Sequence, residues 1–126
     1  MTSLNDDALF ADDPLAVYLS ELHRIPPLSR DEEMDCIDHV RAGDQMAESA
    51  GKRLAEANLL LVVSIAERYR NDHIHMLDLI QKGNDGLLRA VQTLSDNCHD
   101  SFSAYATGHI ERAIAEAIAT PGSTTV

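Results

Sequence analysis

At 126 residues the chain is one domain's worth of sequence, with room for an ordinary core and none for a second folded unit. A hydrophobic share of 44% is usual for a globular protein, whereas 21 acidic against 10 basic residues give a formal charge of −11. Such a field repels nucleic acid and favours basic partners, so autonomous, non-specific DNA binding is not expected. Two cysteines, Cys36 and Cys98, do not make a disulfide framework. No basic segment followed by an apolar stretch stands near Met1, and the longest wholly apolar run, Leu59 to Val63, is far below a membrane span. The expectation is a soluble, cytoplasmic protein of a reducing compartment.

The acids are unevenly placed. Residues 1–48 hold 12 acids and 3 bases, a net −9, and residues 49–126 hold 9 and 7, a net −2. Residues 1–12 are acidic and aperiodic, so they read as a flexible tail, as do residues 120–126. Asp13 before Pro14 is an N-cap followed by the favoured first-turn proline. Leu15, Tyr18, Leu19 and Leu22 then make one apolar face, and Pro26-Pro27 ends the helix. Ser29 and Glu32 have capping-box spacing, and Met34, Ile37 and Val40 carry the next helix to Gly43, a C-cap.

A long helix is expected from about Asp44 to Arg70. It is apolar on several faces, as a central helix would be, and Asn71-Asp72 breaks it. The next helix, roughly His75 to Leu94, carries the clearest pattern. Leu77, Ile80, Leu87, Leu88, Val91 and Leu94 form one stripe, interrupted by Asn84. Asp78, Gln81, Lys82 and Asp85 lie on a polar face. Leu79, Gly83, Gly86 and Ala90 form a small-residue strip that admits a close neighbour, either within the bundle or from a partner. Two glycines inside a helix cost roughly 1 kcal/mol each against Ala, which implies a packing or binding reason. Asp96 to Asp100 reads as a polar loop before a last helix, about Ser101 to Ala119. With no strand pattern, the prediction is an all-α, compact bundle of about five helices over residues 13–119.

Particular runs carry more than periodicity. Glu56 to Tyr69, then Leu77-Asp78-Leu79-Ile80-Gln81-Lys82-Gly83-Asn84-Asp85-Gly86-Leu87-Leu88-Arg89-Ala90-Val91, then Phe102-Ser103-Ala104-Tyr105-Ala106-Thr107, resemble region 2 of bacterial sigma-70 family RNA polymerase sigma factors. Asp13 to Leu19 and Ile25 to Glu33 resemble the family's region 1.2. The resemblance implies a helical domain that acts in transcription initiation and docks on the clamp helices of the polymerase β′ subunit. It assigns that docking to Asp78, Gln81, Lys82, Asn84 and Leu88. Carboxylate and amide groups on one helix face suit the arginine donors of a basic partner. Lys82 departs from the family's usual Glu, a charge reversal expected to weaken docking rather than abolish it.

The family's second task is to open the promoter −10 element, where a basic loop and a row of aromatics stack bases and wall a flipped nucleotide. Phe102 and Tyr105 match that row, but His109 with Gly108 replaces its tandem tryptophans. Glu111 and Arg112 stand for the family's Arg and Gln, and residues 95–120 carry four acids and one base. Losing two stacking platforms costs about 2–6 kcal/mol at 1–3 kcal/mol per base. The implied DNA set, Phe102, Tyr105, His109 and Arg112, is therefore an incomplete reader, expected to engage −10 DNA only when bound to polymerase. The match ends near residue 119, and the family's later domains, which read the −35 element and fill the RNA exit path, have no counterpart in it.

Each of these residues also has a plainer reading. Asp78 and Gln81 suit any solvated helix face, Asn84 a satisfied buried amide, and Phe102 and Tyr105 core packing at helical spacing. Cys36 with His39 and Cys98 with His99 are pairs, but the sequence does not bring them together, so no metal or other cofactor is expected. No nucleophile elbow, phosphate loop or spaced carboxylate pair supports an enzyme or a small-molecule substrate. The alternative function is an acidic regulator without DNA binding, which competes for the sigma site or binds another regulatory protein.

Overall fold

The computed structural model describes residues 13–94 and 101–119. The expected tails, 1–12 and 120–126, and the expected loop, 96–100, lie outside the described residues. Six helices follow one another among those residues: α1 Pro14–Leu22, α2 Arg30–Ala42, α3 Ala47–Glu56, α4 Leu59–Arg68, α5 Met76–Gln92 and α6 Phe102–Ala119.

Local chemistry sets the boundaries. The Asp13 carboxylate accepts the Leu15 N–H at 3.0 Å, with Pro14 in the first turn. Ser29 Oγ accepts the Glu32 N–H at 3.1 Å while the Glu32 carboxylate accepts the Ser29 N–H at 2.8 Å, a complete capping box. Gly43 ends α2 in the left-handed region at φ 63°, where its N–H reaches the His39 and Val40 carbonyls.

The single helix expected over residues 44–70 is in fact two. Asn58 leaves helical geometry at φ −117°, ψ 13°, and its side-chain Nδ2 donates to the Leu54 carbonyl at 2.8 Å. The side chain thus closes the end of α3 in place of the next turn, and α4 starts afresh behind it.

The core gathers around α4, α5 and α6. Leu54, Val62, Ala66, Leu79, Phe102, Ile110 and Ile114 are fully enclosed, and no polar or charged residue is buried among the described residues. The N-terminal elements clamp this core from outside. Arg53 Nη2 donates to the Pro26 carbonyl at 2.9 Å, and Glu33 Oε2 accepts the Phe102 N–H at 3.3 Å, so α2 supplies an acceptor to the start of α6.

The small-residue strip on α5 is a packing device within the bundle. A Cβ on Gly86 would stand 2.5 Å from the His109 carbonyl oxygen, and one on Gly83 would stand 2.6 Å from Val62 Cγ1. Gly108, on the outer side of α6, is the opposite case, with nothing within 4 Å of an added methyl. Gly108→Ala is therefore expected to stabilise the domain by about 0.5–1 kcal/mol through helix propensity alone. In thermal denaturation that is a rise of about 2–4 °C.

A surface clip joins α2 to the turn before α3. His39 Nδ1 donates to Asp44 Oδ2 at 2.7 Å, with Asp35 Oδ2 3.6 Å from the other ring nitrogen. The Asp44 hydrogen bond holds the imidazole above its ordinary 6.5, and the same contact holds the Asp44 carboxyl below 3.8. A raised His pKa stabilises fully below 6.5 and is lost as pH climbs through the folded value; a lowered Asp pKa stabilises above 3.8 and is lost as pH falls. The melting-temperature gap between the wild type and His39→Gln should therefore be widest between those values and narrow toward alkaline pH. A gap constant from acid to alkaline pH would show that the clip does not act through His39's charge.

Candidate docking and nucleic-acid faces

A turn built by Asn71 sets the entry to α5. Its Oδ1 accepts the N–H groups of His73 at 2.7 Å and Ile74 at 3.0 Å. His75, extended, is the N-cap, and its carbonyl accepts from Asp78 and Leu79. Asp78 thereby sits in the first turn, where the positive end of the helix dipole favours a carboxylate.

Burial of Met76, Leu79, Ile80, Gly83, Gly86, Leu87 and Ala90 fixes the rotation of α5. Asp78, Gln81, Lys82, Asp85 and Leu88 are consequently exposed along one side. Leu88, which periodicity places in the apolar stripe, is 51% exposed. Beside it lies an open groove of about 440 Å³ between α3 and α5, lined by Gly51, Ala55, Leu59 and Val91 and edged by Glu48, Lys52 and Glu56. Sequence reading did not find this groove; its only local signal is the pair of small residues, Gly51 and Ala55, one turn apart.

Asn84 stands at the border of this side. Its Nδ2 donates to the Tyr18 hydroxyl at 3.3 Å, while its Oδ1 is buried and has no hydrogen-bond partner. It is half-buried rather than the fully satisfied amide of the plainer reading.

The α6 residues diverge. Phe102 is wholly enclosed in the core, as the packing alternative has it, and presents no surface to a base. Tyr105 is half-buried; its hydroxyl donates to the Thr93 carbonyl at 3.0 Å and lies 2.9 Å from Thr93 Oγ1. Its ring packs against His109 with centroids 5.0 Å apart and planes tilted by 58°. Burial pushes the His109 imidazole below the usual histidine range, and Arg112 and Arg89 push the same way, so it is neutral at physiological pH. Arg112 is exposed, whereas Glu111 pairs with Arg68 across to α4 at 3.2 Å. The outermost positions of α6 are Ala104, Gly108, Arg112, Ala115, Glu116 and Ala119, which offer a phosphate one guanidinium and no aromatic platform.

Elsewhere, burial raises the pKa of the Cys36 thiol. No group of three or more His, Cys, Asp or Glu side chains suited to a metal occurs among the described residues. Likewise none of their helices is long and apolar enough to cross a membrane.

Comparison with known proteins matches this chain to two consecutive family models. Sigma-70 factor, region 1.2, covers residues 13–45, and Sigma-70 region 2 covers residues 54–122. The chain therefore belongs to the sigma-70 family of RNA polymerase sigma factors. Among its relatives, the RNA polymerase sigma factor SigA of Lactococcus lactis subsp. cremoris is 49% identical over 108 residues, covering 86% of this chain and 30% of the relative. SigA of a Bacillus species is 46% identical over 126 residues, covering 91% and 33%, and that of Clostridium acetobutylicum 47% over 113 residues, covering 90% and 29%. The chain thus spans about a third of the length of these curated relatives.

Proposed function

We propose that this domain acts in bacterial transcription initiation by docking on the RNA polymerase core, at the clamp helices of the β′ subunit, through the exposed side of α5. The observation that carries the reading is the rotation of that helix, which leaves Asp78, Gln81, Lys82 and Leu88 exposed along one side, with an apolar groove flanking Leu88 at its C-terminal end. Exposed carboxylate and amide groups next to an apolar slot suit a helical partner bearing arginines and leucines. Family membership supports the same assignment.

The −10 function is weakened or lost on this reading. Phe102 is enclosed, Tyr105 is tied to Thr93, His109 is uncharged, and the outer row of α6 has little to hold a strand. Stacking and phosphate neutralisation, the two main sources of single-strand affinity, are both depleted. The domain then occupies the sigma site as a competitor more than as a promoter reader.

The test is competition between the purified chain and a labelled housekeeping sigma factor for core RNA polymerase. Displacement is the expected result. No displacement at tens of micromolar would overturn docking and leave the alternative, an acidic regulator that binds another regulatory protein. A labelled single-stranded −10 oligonucleotide, added with and without polymerase, then separates competitor from factor. The competitor reading expects no protein-dependent retention in either case.

A further inference from the structure

We infer that Tyr18, on α1, is a positioning residue for the docking side of α5, acting through the side-chain amide of Asn84. The inference rests on the proposed docking and adds to it a residue 66 positions away in sequence.

Asn84 interrupts an apolar stripe, and among the described residues its side-chain hydrogen bond reaches off α5 to Tyr18 rather than to a neighbour on the same helix. Of the amide's two ends, Nδ2 donates to the Tyr18 hydroxyl at 3.3 Å, and Oδ1 is buried without a partner. The Tyr18 hydroxyl is thus the one hydrogen-bond partner of this side chain among the described residues. A phenol can donate or accept, so the pairing holds whichever end of the amide faces it. A free asparagine at a helix border would swing between rotamers, and docking would have to stop that motion.

The tyrosine is itself held. Leu22 of α1 is buried, and Leu15, Tyr18 and Leu19 pack against the core from α1, with Asp13 and Pro14 fixing the start of the helix. The helix of region 1.2 therefore braces a side chain on the helix of region 2. This pre-organisation saves entropy at the moment of binding.

The experiment is a double-mutant cycle read as affinity for core RNA polymerase. It uses the wild type, Tyr18→Phe, Asn84→Ala and the double variant, each checked by thermal denaturation. Phenylalanine keeps the ring and its packing and removes the hydroxyl alone. Tyr18→Phe is expected to weaken binding about three- to tenfold, the range of one neutral hydrogen bond. In the Asn84→Ala background the same change should do nothing further.

Independent losses in the cycle, an unchanged affinity, or tighter binding by Tyr18→Phe would each overturn the inference; the last would make Tyr18 a restraint on Asn84 rather than a brace. Leu15→Ala controls for α1 packing. If it weakens docking as much as Tyr18→Phe and regardless of Asn84, the effect belongs to the helix and the inference fails. Failure of the docking reading looks different. There the whole cycle is flat and Asp78→Arg is silent too, whereas a responsive Asp78 with a flat cycle rejects Tyr18 positioning alone.

Discussion

The double substitution Asp78→Arg, Gln81→Ala is expected to weaken the affinity of this domain for core RNA polymerase by about 30- to 1000-fold. The size follows from what the two side chains supply. Both are exposed on the free protein, so each is ready to pair with a donor, and arginine–carboxylate pairs are among the stronger hydrogen-bonded contacts. Removing one partner of a desolvated charge pair costs about 2–5 kcal/mol, and a cation in its place adds repulsion. The folded state should lose far less. Putting a cation in the first turn of α5 opposes the helix dipole at a cost of about 0.3–1 kcal/mol, while the core residues beneath are untouched. Competition with a labelled sigma factor measures the affinity, and a thermal melt of the same samples separates binding from stability. Undiminished displacement would remove α5 from the interface. The repulsive part of the loss should shrink with salt, since ions screen charges that remain outside the desolvated contact.

The parts of the fold legible in sequence are those that short-range chemistry decides. Asp13-Pro14, Ser29 with Glu32, and Gly43 each specify a helix end through groups within a few residues, and each cap forms as the pattern says. The missed feature, the break at Asn58, is also local, but the apolar run Leu59 to Val63 that follows it masks the signal. Asparagine inside so apolar a stretch reads as a tolerated interruption until its amide is seen on the Leu54 carbonyl. The small-residue strip on α5 was legible as a demand for close approach, and only the fold says that α6 and Val62 meet it from inside the bundle.

The candidate site divides along the same line. The exposure of Asp78, Gln81 and Lys82 follows from helical period alone. Leu88 carries the period of the buried stripe and still lies at the surface, where it flanks an open groove between α3 and α5. The Tyr18–Asn84 contact joins residues 66 apart, a pairing no local pattern announces. Phe102 shows the reverse limit. A resemblance assigns its type and position to base stacking, and the packing around the start of α6 encloses it.

Gly86→Ala should be the most damaging single-methyl change in α5. In an exposed helix the same substitution gains up to about 1 kcal/mol from propensity. Here the new Cβ would lie 2.5 Å from the His109 carbonyl oxygen and 2.9 Å from Ile110 Cα, both backbone atoms of α6. Backbone cannot rotate aside as a side chain can, so the two helices must separate, and the contacts of Ile110 and Ile114, both wholly buried, loosen with them. A net loss of about 2–4 kcal/mol is expected, which lowers the melting temperature by about 8–15 °C in a domain of this size. Gly83→Ala should cost less, because Val62 Cγ1 at 2.6 Å and Ile114 Cδ1 at 3.1 Å are side-chain ends that can give way. The order of the two variants is itself a test of how α6 lies on α5, since a looser seat would make both substitutions neutral or stabilising. Gly86 is buried and the side chains proposed to dock are exposed, so the damage belongs to stability. At a temperature where Gly86→Ala remains folded, its affinity for polymerase should match the wild type. A matching drop in affinity would instead mean that the position of α6 governs the docking side of α5.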